Sequence, residues 1–396
     1  MKTNWALPDT PFFGESHAEV VSALNQWIER ERHALQSESE QSLNDQCAYW
    51  LRSLAGVGIL RYAVPADYSS TAPGAHAPTV DLRSICLVRE CLGYYAPMAD
   101  FVFSMQGIGS ASLWQKGRAA VCAPYVQACA LGQKVAAFAL TEPEGGSDVA
   151  STRTTATPDG DMYVLEGAKS YISNGGIADF YVVIARTEPG KGAGGLSAFL
   201  VDADTPGLRI HRQIDIMAPH PLAEIHFSNC RVPAERLIGE RGEGFKAAMS
   251  VLDVFRSSVG AAAIGLGQRA LDETVERVTT RQLYGRPMSE MESVRHKVAD
   301  MAVQLEAARL LVYKAAWTRD VRGRRITTEA AMAKLQGTEA AFQVVDAAVQ
   351  LWGGLGITCG TVVERLYREV RPMRIYEGAT EVQKTIIGRQ LLKGAP

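Results

Sequence analysis

The spacing of hydrophobic residues changes twice along the chain, and this order limits the possible folds. From 16 to about 130, and again after 242, apolar residues recur every three or four positions, which is typical of amphipathic helices. From about 133 the pattern changes to short alternating runs, and Asp159-Gly160 predicts a hairpin turn between two strands. Because strands do not alternate with helices and no GxGxxG follows a strand, the pattern predicts an α+β chain, mainly α, rather than a Rossmann fold.

This order predicts three domains. We expect a helical domain at 1–132, a small central β domain at 133–240 and a second helical domain at 241–396. In the last domain, Ser289 with Glu292 and Thr380 with Gln383 have the spacing of capping boxes, which predicts two helix starts. The run of small residues at 257–267 predicts a helix that packs closely against a neighbouring helix.

Charge and cysteine content exclude several classes of protein. Lys and Arg total 41 against 43 Asp and Glu, so no strong basic field is available for nucleic acid or an anionic membrane. The seven scattered cysteines lack a CxxC pair, which predicts reduced, mostly buried thiols. No uninterrupted apolar run or N-terminal targeting pattern stands out, so we expect a cytoplasmic protein without a membrane partner.

The spacings of His211, His220 and His226 fit no common metal signature, and we expect no metal site.

The segment RIYEGATEVQ, at 374–383, places a carboxylate between an aromatic ring and a glycine, just before a predicted helix. Glu377 therefore lies on a turn whose direction is fixed by the backbone. Stabilisation of the helix dipole is one interpretation of a carboxylate in this position. A functional carboxylate is the other, and the local pattern leaves both open.

Two further segments, FALTEPEGGSDVAS at 138–151 and KSYISNGG at 169–176, combine hydroxyls with glycines at predicted strand ends. Thr141, Gly145, Gly146 and Ser147 offer hydroxyls and unobstructed backbone N–H groups, which suit the edge or the phosphates of a nucleotide. A plain β-turn would use the same residues, so this motif alone decides nothing.

Taken together, six segments resemble the acyl-CoA dehydrogenase family in order and spacing, from about residue 130 to 390. They are LTEPEGGSDVAS, KSYISNGGIADFYVVIART, CRVPAERLIGERGEGF, RQLYGRPMSEMESV, LWGGLGIT and RIYEGATEVQ. The resemblance implies an N-terminal helical domain, a central β-barrel or sandwich and a C-terminal four-helix bundle. It also implies bound FAD and a homotetramer or homodimer.

The resemblance further implies roles for individual residues. Glu377 matches the base that removes the α-proton, and its own backbone N–H, with a flavin ribityl hydroxyl, holds the thioester oxygen. We expect the pKa of Glu377 to rise when substrate enters. Phe255 aligns with the position at which some relatives carry the base, but it cannot accept a proton. The expected FAD contacts are Phe138, Leu140, Thr141, Gly146, Ser147, Tyr171, Ser173, Arg281, Tyr284, Gln350, Gly353 and Gly354. The expected substrate contacts are Ser147, Asp253, Arg256, Tyr376 and Gly378.

The implied reaction is FAD-dependent α,β-dehydrogenation of an acyl-CoA to the 2-enoyl-CoA, with an electron-transfer flavoprotein as electron acceptor. A dehydrogenase for carrier-protein thioesters, an O2-using oxidase or flavin monooxygenase, and a non-catalytic scaffold remain as alternatives. Tyr171, Tyr284, Ala379 and the His220-Pro221 pair depart from the usual family residues. These departures leave the acyl group open.

Overall fold

The computed structural model describes residues 1–36, 41–65, 68 and 79–393. Helices and strands follow the block order predicted from the hydrophobic spacing. The α-helices are α1 (Ser16–Arg30), α2 (Arg32–Gln36), α3 (Leu43–Gly56), α4 (Leu82–Tyr95), α5 (Pro97–Lys116), α6 (Ala119–Ala130), α7 (Gly244–Thr280), α8 (Glu292–Arg322), α9 (Thr327–Trp352), α10 (Val362–Met373) and α11 (Thr380–Leu392). The strands are β1 (Ala136–Ala139), β2 (Thr155–Asp159), β3 (Met162–Ser173), β4 (Phe180–Arg186), β5 (Leu196–Asp202), β6 (Leu208–Gln213), β7 (Leu222–Pro233), β8 (Leu237–Ile238), β9 (Gln282–Leu283) and β10 (Arg286–Pro287).

The chain divides into two compact units. Unit 1 comprises Met1–Glu38, Asp81–Asp100 and Asp253–Pro396, and unit 2 comprises Ser39–Val80 and Phe101–Leu252. Helices α5 and α7 each run from one unit into the other. The three-domain division at 132 and 240 stays a prediction.

Unit 2 contains one eight-stranded sheet in the order β6-β7-β3-β2-β4-β5-β8, with β1 paired in parallel to β4. The predicted hairpin is confirmed: β2 and β3 are antiparallel, with Asp159 opposite Met162. Its turn contains Gly160 at φ +63°, a left-handed conformation that glycine adopts without steric cost. Most of the other pairings are also antiparallel, as expected for a sheet that is not built from βαβ units.

The sheet of unit 2 folds back on itself. Strands β5 and β7 are far apart in the sheet order, yet Phe199 on β5 and Ile225 on β7 belong to the same buried core. The rings of Tyr163 on β3 and Phe199 lie 4.9 Å apart. Side chains from one face therefore fill a shared interior, which confirms the predicted central barrel or sandwich.

In unit 1 the long helices pack through small residues. A Cβ placed on Gly260 of α7 would lie 2.7 Å from the Ala333 carbonyl of α9, so only glycine fits there. A Cβ on Gly265 would lie 2.1 Å from the Glu90 carbonyl of α4. The close packing predicted from the small-residue run is confirmed. Helices α8, α9 and α10 share a buried core with α7, as expected for a C-terminal bundle.

Both predicted capping boxes are wrong. Helix α8 begins at Glu292 with Met291 as N-cap, and no side chain caps it, because a short 3-10 turn occupies Met288–Glu290. Helix α11 begins at Thr380 as predicted, but its N-cap is Ala379 and again no side chain caps it. The Thr380 hydroxyl instead donates to Glu339 at 2.5 Å, because tertiary packing supplies a stronger acceptor.

Within the described part of the chain, two helical segments are long and apolar enough to cross a bilayer by length and composition. They are α7 (Gly244–Thr280) and α9 together with the 3-10 turn that follows it (Thr327–Ile357). The most apolar window of the first is 83% buried in the protein, as in a core helix, and that of the second is 33% buried. Six of the seven cysteines are buried and Cys359 is exposed, which confirms the predicted burial of most thiols.

Candidate active site

The turn before α11 has a left-handed backbone, with φ +52° at Glu377 and +94° at Gly378. A left-handed glutamate is uncommon and costs energy, so the surrounding structure must hold it. Arg256 Nε donates to the Glu377 carbonyl at 3.4 Å, and Lys334 Nζ donates to the Gly378 carbonyl at 2.9 Å. Gln383 Nε2 donates to both carbonyls, at 3.2 and 2.8 Å. Three buried side chains therefore fix the turn.

Two polar groups of Glu377 are left free for a ligand. Its Oε2 is buried and has no hydrogen-bond partner within the described part of the chain. Its backbone N–H likewise has no acceptor among the residues that the structure describes. A carboxylate that can take a proton and an N–H that can stabilise an oxyanion thus belong to the same residue.

Burial and the surrounding charges have opposing effects on the pKa of the Glu377 carboxyl. Burial raises the pKa of the Glu377 carboxyl, and the positive charges of Arg89, Lys334 and Arg256 act in the opposite direction. The nearby carboxylate of Asp100 adds to the rise of the pKa. The net direction is upward, which makes Glu377 a stronger base than an exposed glutamate.

Arg89 and Asp100 form a buried ion pair in this environment, and sequence reasoning missed it. Arg89 Nε and Nη2 donate to the two oxygens of Asp100 at 2.8 and 2.9 Å, and Nη1 donates to Ser258 at 3.1 Å. Arg89 is 2% exposed and Asp100 is 6% exposed. The available signal was a charged residue within each of two largely apolar helices, Arg89 on α4 and Asp100 on α5.

The other predicted substrate residues of unit 1 lie around the same turn. Arg256 Nη1 contacts Asp253 Oδ1 at 3.4 Å, and Arg325 Nε donates to Asp253 Oδ2 at 3.3 Å. Burial raises the pKa of the half-buried Tyr376, whose hydroxyl also interacts with the charge of Glu377. Phe255 is fully buried. The structure therefore brings Asp253, Arg256, Tyr376 and Gly378 together.

In unit 2, hydrogen bonds join the two glycine-containing segments. Ser170 N–H donates to the Thr141 carbonyl at 2.9 Å, and the Asn174 amide donates to the Ala136 carbonyl at 2.8 Å. Lys169 Nζ donates to the Leu140 carbonyl at 2.9 Å. Segments that are about 30 residues apart in sequence thus form one surface at the end of β1 and β3.

Comparison with known proteins agrees with this geometry. The family descriptions "Acyl-CoA dehydrogenase, middle domain" and "Acyl-CoA dehydrogenase, C-terminal domain" match residues 137–230 and 242–392. The probable acyl-CoA dehydrogenase FadE25 of Mycobacterium tuberculosis is 36% identical over 385 residues, covering 96% of each chain. The chain belongs to the acyl-CoA dehydrogenase family. It is therefore an oxidoreductase by family.

Solved structures of this family have the same fold. The butyryl-CoA dehydrogenase of Megasphaera elsdenii superimposes with a TM-score of 0.85 at 32% identity, covering 98% of this chain and 100% of the other. The FAD complex of PigA superimposes with a TM-score of 0.87 at 28% identity, covering 96% and 99%. The predicted α+β, mainly α, fold is confirmed, and acyl-CoA dehydrogenases are a flavoprotein family.

The surface of unit 2 fits the flavin of an acyl-CoA dehydrogenase. Tyr171 is 60% exposed and left-handed at φ +55°, beside a break in the register of β3 that turns its ring outward. The hydroxyls of Thr141, Ser147 and Ser173 have no hydrogen-bond partner among the described residues. These features suit a flat ring with polar edges and a diphosphate. The remaining predicted contacts on this surface are the partly exposed Phe138, Leu140 and Gly146.

The residues predicted to reach a neighbouring subunit's FAD lie at one exposed end of unit 1. Tyr284, in the turn between β9 and β10, is 95% exposed at φ +51°. Leu283 of this hairpin and Leu351 of α9 pack in one small cluster, which brings the two predicted segments together. Their exposed members are Arg281, Tyr284, Gln350, Gly353 and Gly354.

The departures from the family pattern also have defined surroundings. The ring of His220 stacks on Phe101 at 4.5 Å between ring centres. Asn174 N–H donates to the carbonyl of Pro221 at 2.9 Å, which connects this segment to the end of β3. Ala379 occupies the N-cap of α11 without a side-chain cap.

Three side chains on β6 and β7 form a cluster that sequence spacing did not predict. Antiparallel pairing brings His211, Glu224 and His226 together, and their ligand atoms lie within 4.8 Å of one another. The two imidazoles are stacked 4.1 Å apart and nearly parallel, at 9°. Lone pairs in the planes of parallel rings do not converge on one ion, and Arg212 already contacts Glu224 at 3.0 Å. We assign this cluster no metal.

Proposed function

We propose that the protein catalyses FAD-dependent α,β-dehydrogenation of an acyl-CoA thioester to the 2-enoyl-CoA, with Glu377 as the base. The observation that carries the proposal is that Glu377 has both a buried Oε2 and a backbone N–H for which the described residues provide no hydrogen-bond partner. The α-proton of a thioester is a very weak acid. Its removal therefore needs a carboxylate shielded from water and a hydrogen bond to the developing enolate.

In this proposal the substrate loses a proton from its α-carbon to Glu377 and a hydride from its β-carbon, and a carbon–carbon double bond forms. FAD, when bound, supplies the acceptor for that hydride. The Glu377 N–H would donate to the thioester oxygen. Arg256, Lys334 and Gln383 would keep the turn in position during proton transfer, because they hold its carbonyls.

The proposed cofactor contacts are the twelve residues named from the resemblance. The unpartnered hydroxyls of Thr141, Ser147 and Ser173 and the exposed ring of Tyr171 support those of unit 2. The resemblance carries the proposal of a homotetramer or homodimer, in which a neighbouring subunit would cover the Tyr284 ring, 95% exposed in the single chain. Sedimentation of the purified flavoprotein distinguishes these assemblies from a monomer.

The direct test replaces Glu377 by Gln and follows anaerobic flavin bleaching across a panel of acyl-CoAs. We expect the variant to keep its yellow flavin and to bleach about 10²- to 10⁴-fold more slowly, which is the usual contribution of a general base. The exposed Glu381, on the first turn of α11, offers a matched control, and Glu381→Gln should bleach at the parental rate. Parental bleaching by Glu377→Gln would refute the proposed base.

Aerobic turnover decides the electron acceptor, and the bleaching assay decides the thioester. We propose an electron-transfer flavoprotein as acceptor, so turnover should depend on adding that protein and should release little peroxide. Substantial peroxide without the acceptor would identify an oxidase instead. Faster bleaching by carrier-protein thioesters than by CoA thioesters would identify a carrier-linked dehydrogenase.

A further inference from the structure

Lys334, in the first third of α9, is a buried lysine without a direct counter-ion among the described residues. Its side chain is fully buried, and the one side-chain hydrogen bond that it makes with the described residues is the 2.9 Å contact with the Gly378 carbonyl. Within the described ranges, no carboxylate oxygen lies within 4.0 Å of its ammonium. Burying an ammonium in this way is costly unless other charges offset it.

The offsetting charges lie on several elements around Lys334. Burial lowers the pKa of Lys334 to about 8, while the carboxylates of Glu377 and Glu339 act to raise it. The positive charges of Arg256 on α7 and Arg374 at the end of α10 add to the lowering. Glu377 is the strongest of the stabilising charges, so the lysine and the proposed base stabilise each other's ionised form.

We propose that Lys334 is a positioning residue for the reaction, whose charge favours the ionised form of Glu377 and whose hydrogen bond holds the turn that aims the carboxylate. This inference rests on the proposed function of Glu377. Stabilisation from a distance suits a base, because a direct lysine–carboxylate hydrogen bond would occupy the oxygen that must accept the substrate proton. The unpartnered Oε2 of Glu377 favours stabilisation from a distance over a direct lysine–carboxylate hydrogen bond.

The charge of Lys334 can be separated from its hydrogen bond. Gln383 also donates to the Gly378 carbonyl, at 2.8 Å, and Arg256 donates to the Glu377 carbonyl. The turn therefore keeps two of its three supports when Lys334 is replaced. Loss of the ammonium should chiefly change the protonation of Glu377.

The test measures anaerobic flavin reduction by a saturating acyl-CoA from pH 5 to pH 9 in the parent and in Lys334→Met, Lys334→Gln and Lys334→Arg. The rate should rise with pH as Glu377 loses its proton, and the lysine charge lowers the pKa of Glu377. Removing that charge in the Met and Gln variants should therefore shift the midpoint of this rise to higher pH by roughly one pH unit or more. Lys334→Arg should restore the parental midpoint. FAD content and thermal midpoint identify any variant that is merely misfolded.

A second readout does not depend on turnover. The infrared band of the protonated Glu377 carboxyl, assigned by its loss in Glu377→Gln, should titrate at higher pH in Lys334→Gln than in the parent. Two lysines are buried among the described residues, Lys169 and Lys334. Reciprocity requires that Glu377→Gln move the titration of one of them, seen by carbon NMR of labelled lysine, to lower pH. That measurement stands even if every Lys334 variant fails to fold.

The outcomes separate this inference from the proposed function. An unmoved rate midpoint in a folded, FAD-loaded Lys334→Met overturns the positioning role. Lysine titrations that are unchanged in Glu377→Gln overturn it as well. If Glu377→Gln itself reduces its flavin normally, the proposed function fails first.

Discussion

Two buried lysines hold backbone carbonyls next to candidate functional segments, one in each unit. Lys169 donates to the Leu140 carbonyl and Lys334 to the Gly378 carbonyl, both at 2.9 Å. Both side chains are fully buried, and burial lowers the pKa of each to about 8. They differ in their counter-ion: Lys169 contacts Glu142 at 2.8 Å, whereas Lys334 has no direct carboxylate partner among the described residues.

This difference distinguishes two roles for a buried lysine. Lys169 forms a direct ion pair, whereas Lys334 stabilises the charge of a carboxylate without bonding to it. Glu142 uses both oxygens, accepting from Lys169 and from the backbone N–H groups of Thr154 and Arg153 at 2.9 and 2.7 Å. Such a carboxylate has little capacity left to take a proton. The carboxylate next to Lys334 is instead unpartnered at Oε2, so its charge is stabilised without its lone pairs being used.

The largest expected effect comes from breaking the paired site. Glu142→Gln leaves Lys169 as a buried charge without a partner, which typically costs about 3–5 kcal/mol of folding free energy. Hydrogen exchange at the Thr154 amide, which donates to Glu142, measures the loss locally. Adding Lys169→Met should recover most of it. Glu377→Gln should lower the folding free energy far less than Glu142→Gln does. Equal losses in the two variants would mean that the two sites do not differ in this way.

A smaller effect is expected when pH removes the charge of the unpaired lysine. Lys334 titrates near 8 when folded and near 10.5 when unfolded, so the unfolded chain binds more protons between these values. The stability of the parent relative to Lys334→Met should therefore rise with pH over that window, by up to about 3 kcal/mol. Urea unfolding at several pH values gives the difference, and a flat difference would mean that burial does not lower the pKa of Lys334.

The smallest effect tests how many donors each carbonyl has. The Gly378 carbonyl has two side-chain donors, Lys334 and Gln383, whereas the Leu140 carbonyl has Lys169. Gln383→Met should therefore cost only about 1 kcal/mol, the usual net value of one hydrogen bond, and leave the pH midpoint of flavin reduction in place. A shifted midpoint would show that Gln383, rather than the lysine charge, sets the protonation of Glu377.

Much of the fold and the position of the proposed base were predictable from sequence. The hairpin at Asp159-Gly160, the close packing of α7 and the start of α11 are confirmed by the structure. The burial of Lys334 had a local signal in the sequence, because this charged residue lies on the same helical face as small buried residues. The predicted capping box at Thr380 and Gln383 failed because both side chains bond to groups outside their own helix. The box at Ser289 and Glu292 failed because a short 3-10 turn occupies Met288–Glu290.

Sequence alone determined the order of helical and strand blocks and the location of Glu377 before a helix, because periodicity and turn chemistry act over a few residues. Only the tertiary structure decided what surrounds that carboxylate. Lys334 lies 44 residues from Gly378 in the chain, and Arg89 lies 169 residues from Ser258. Burial and charge at the base arise from such distant contacts, and the period of a single segment carries no information about them.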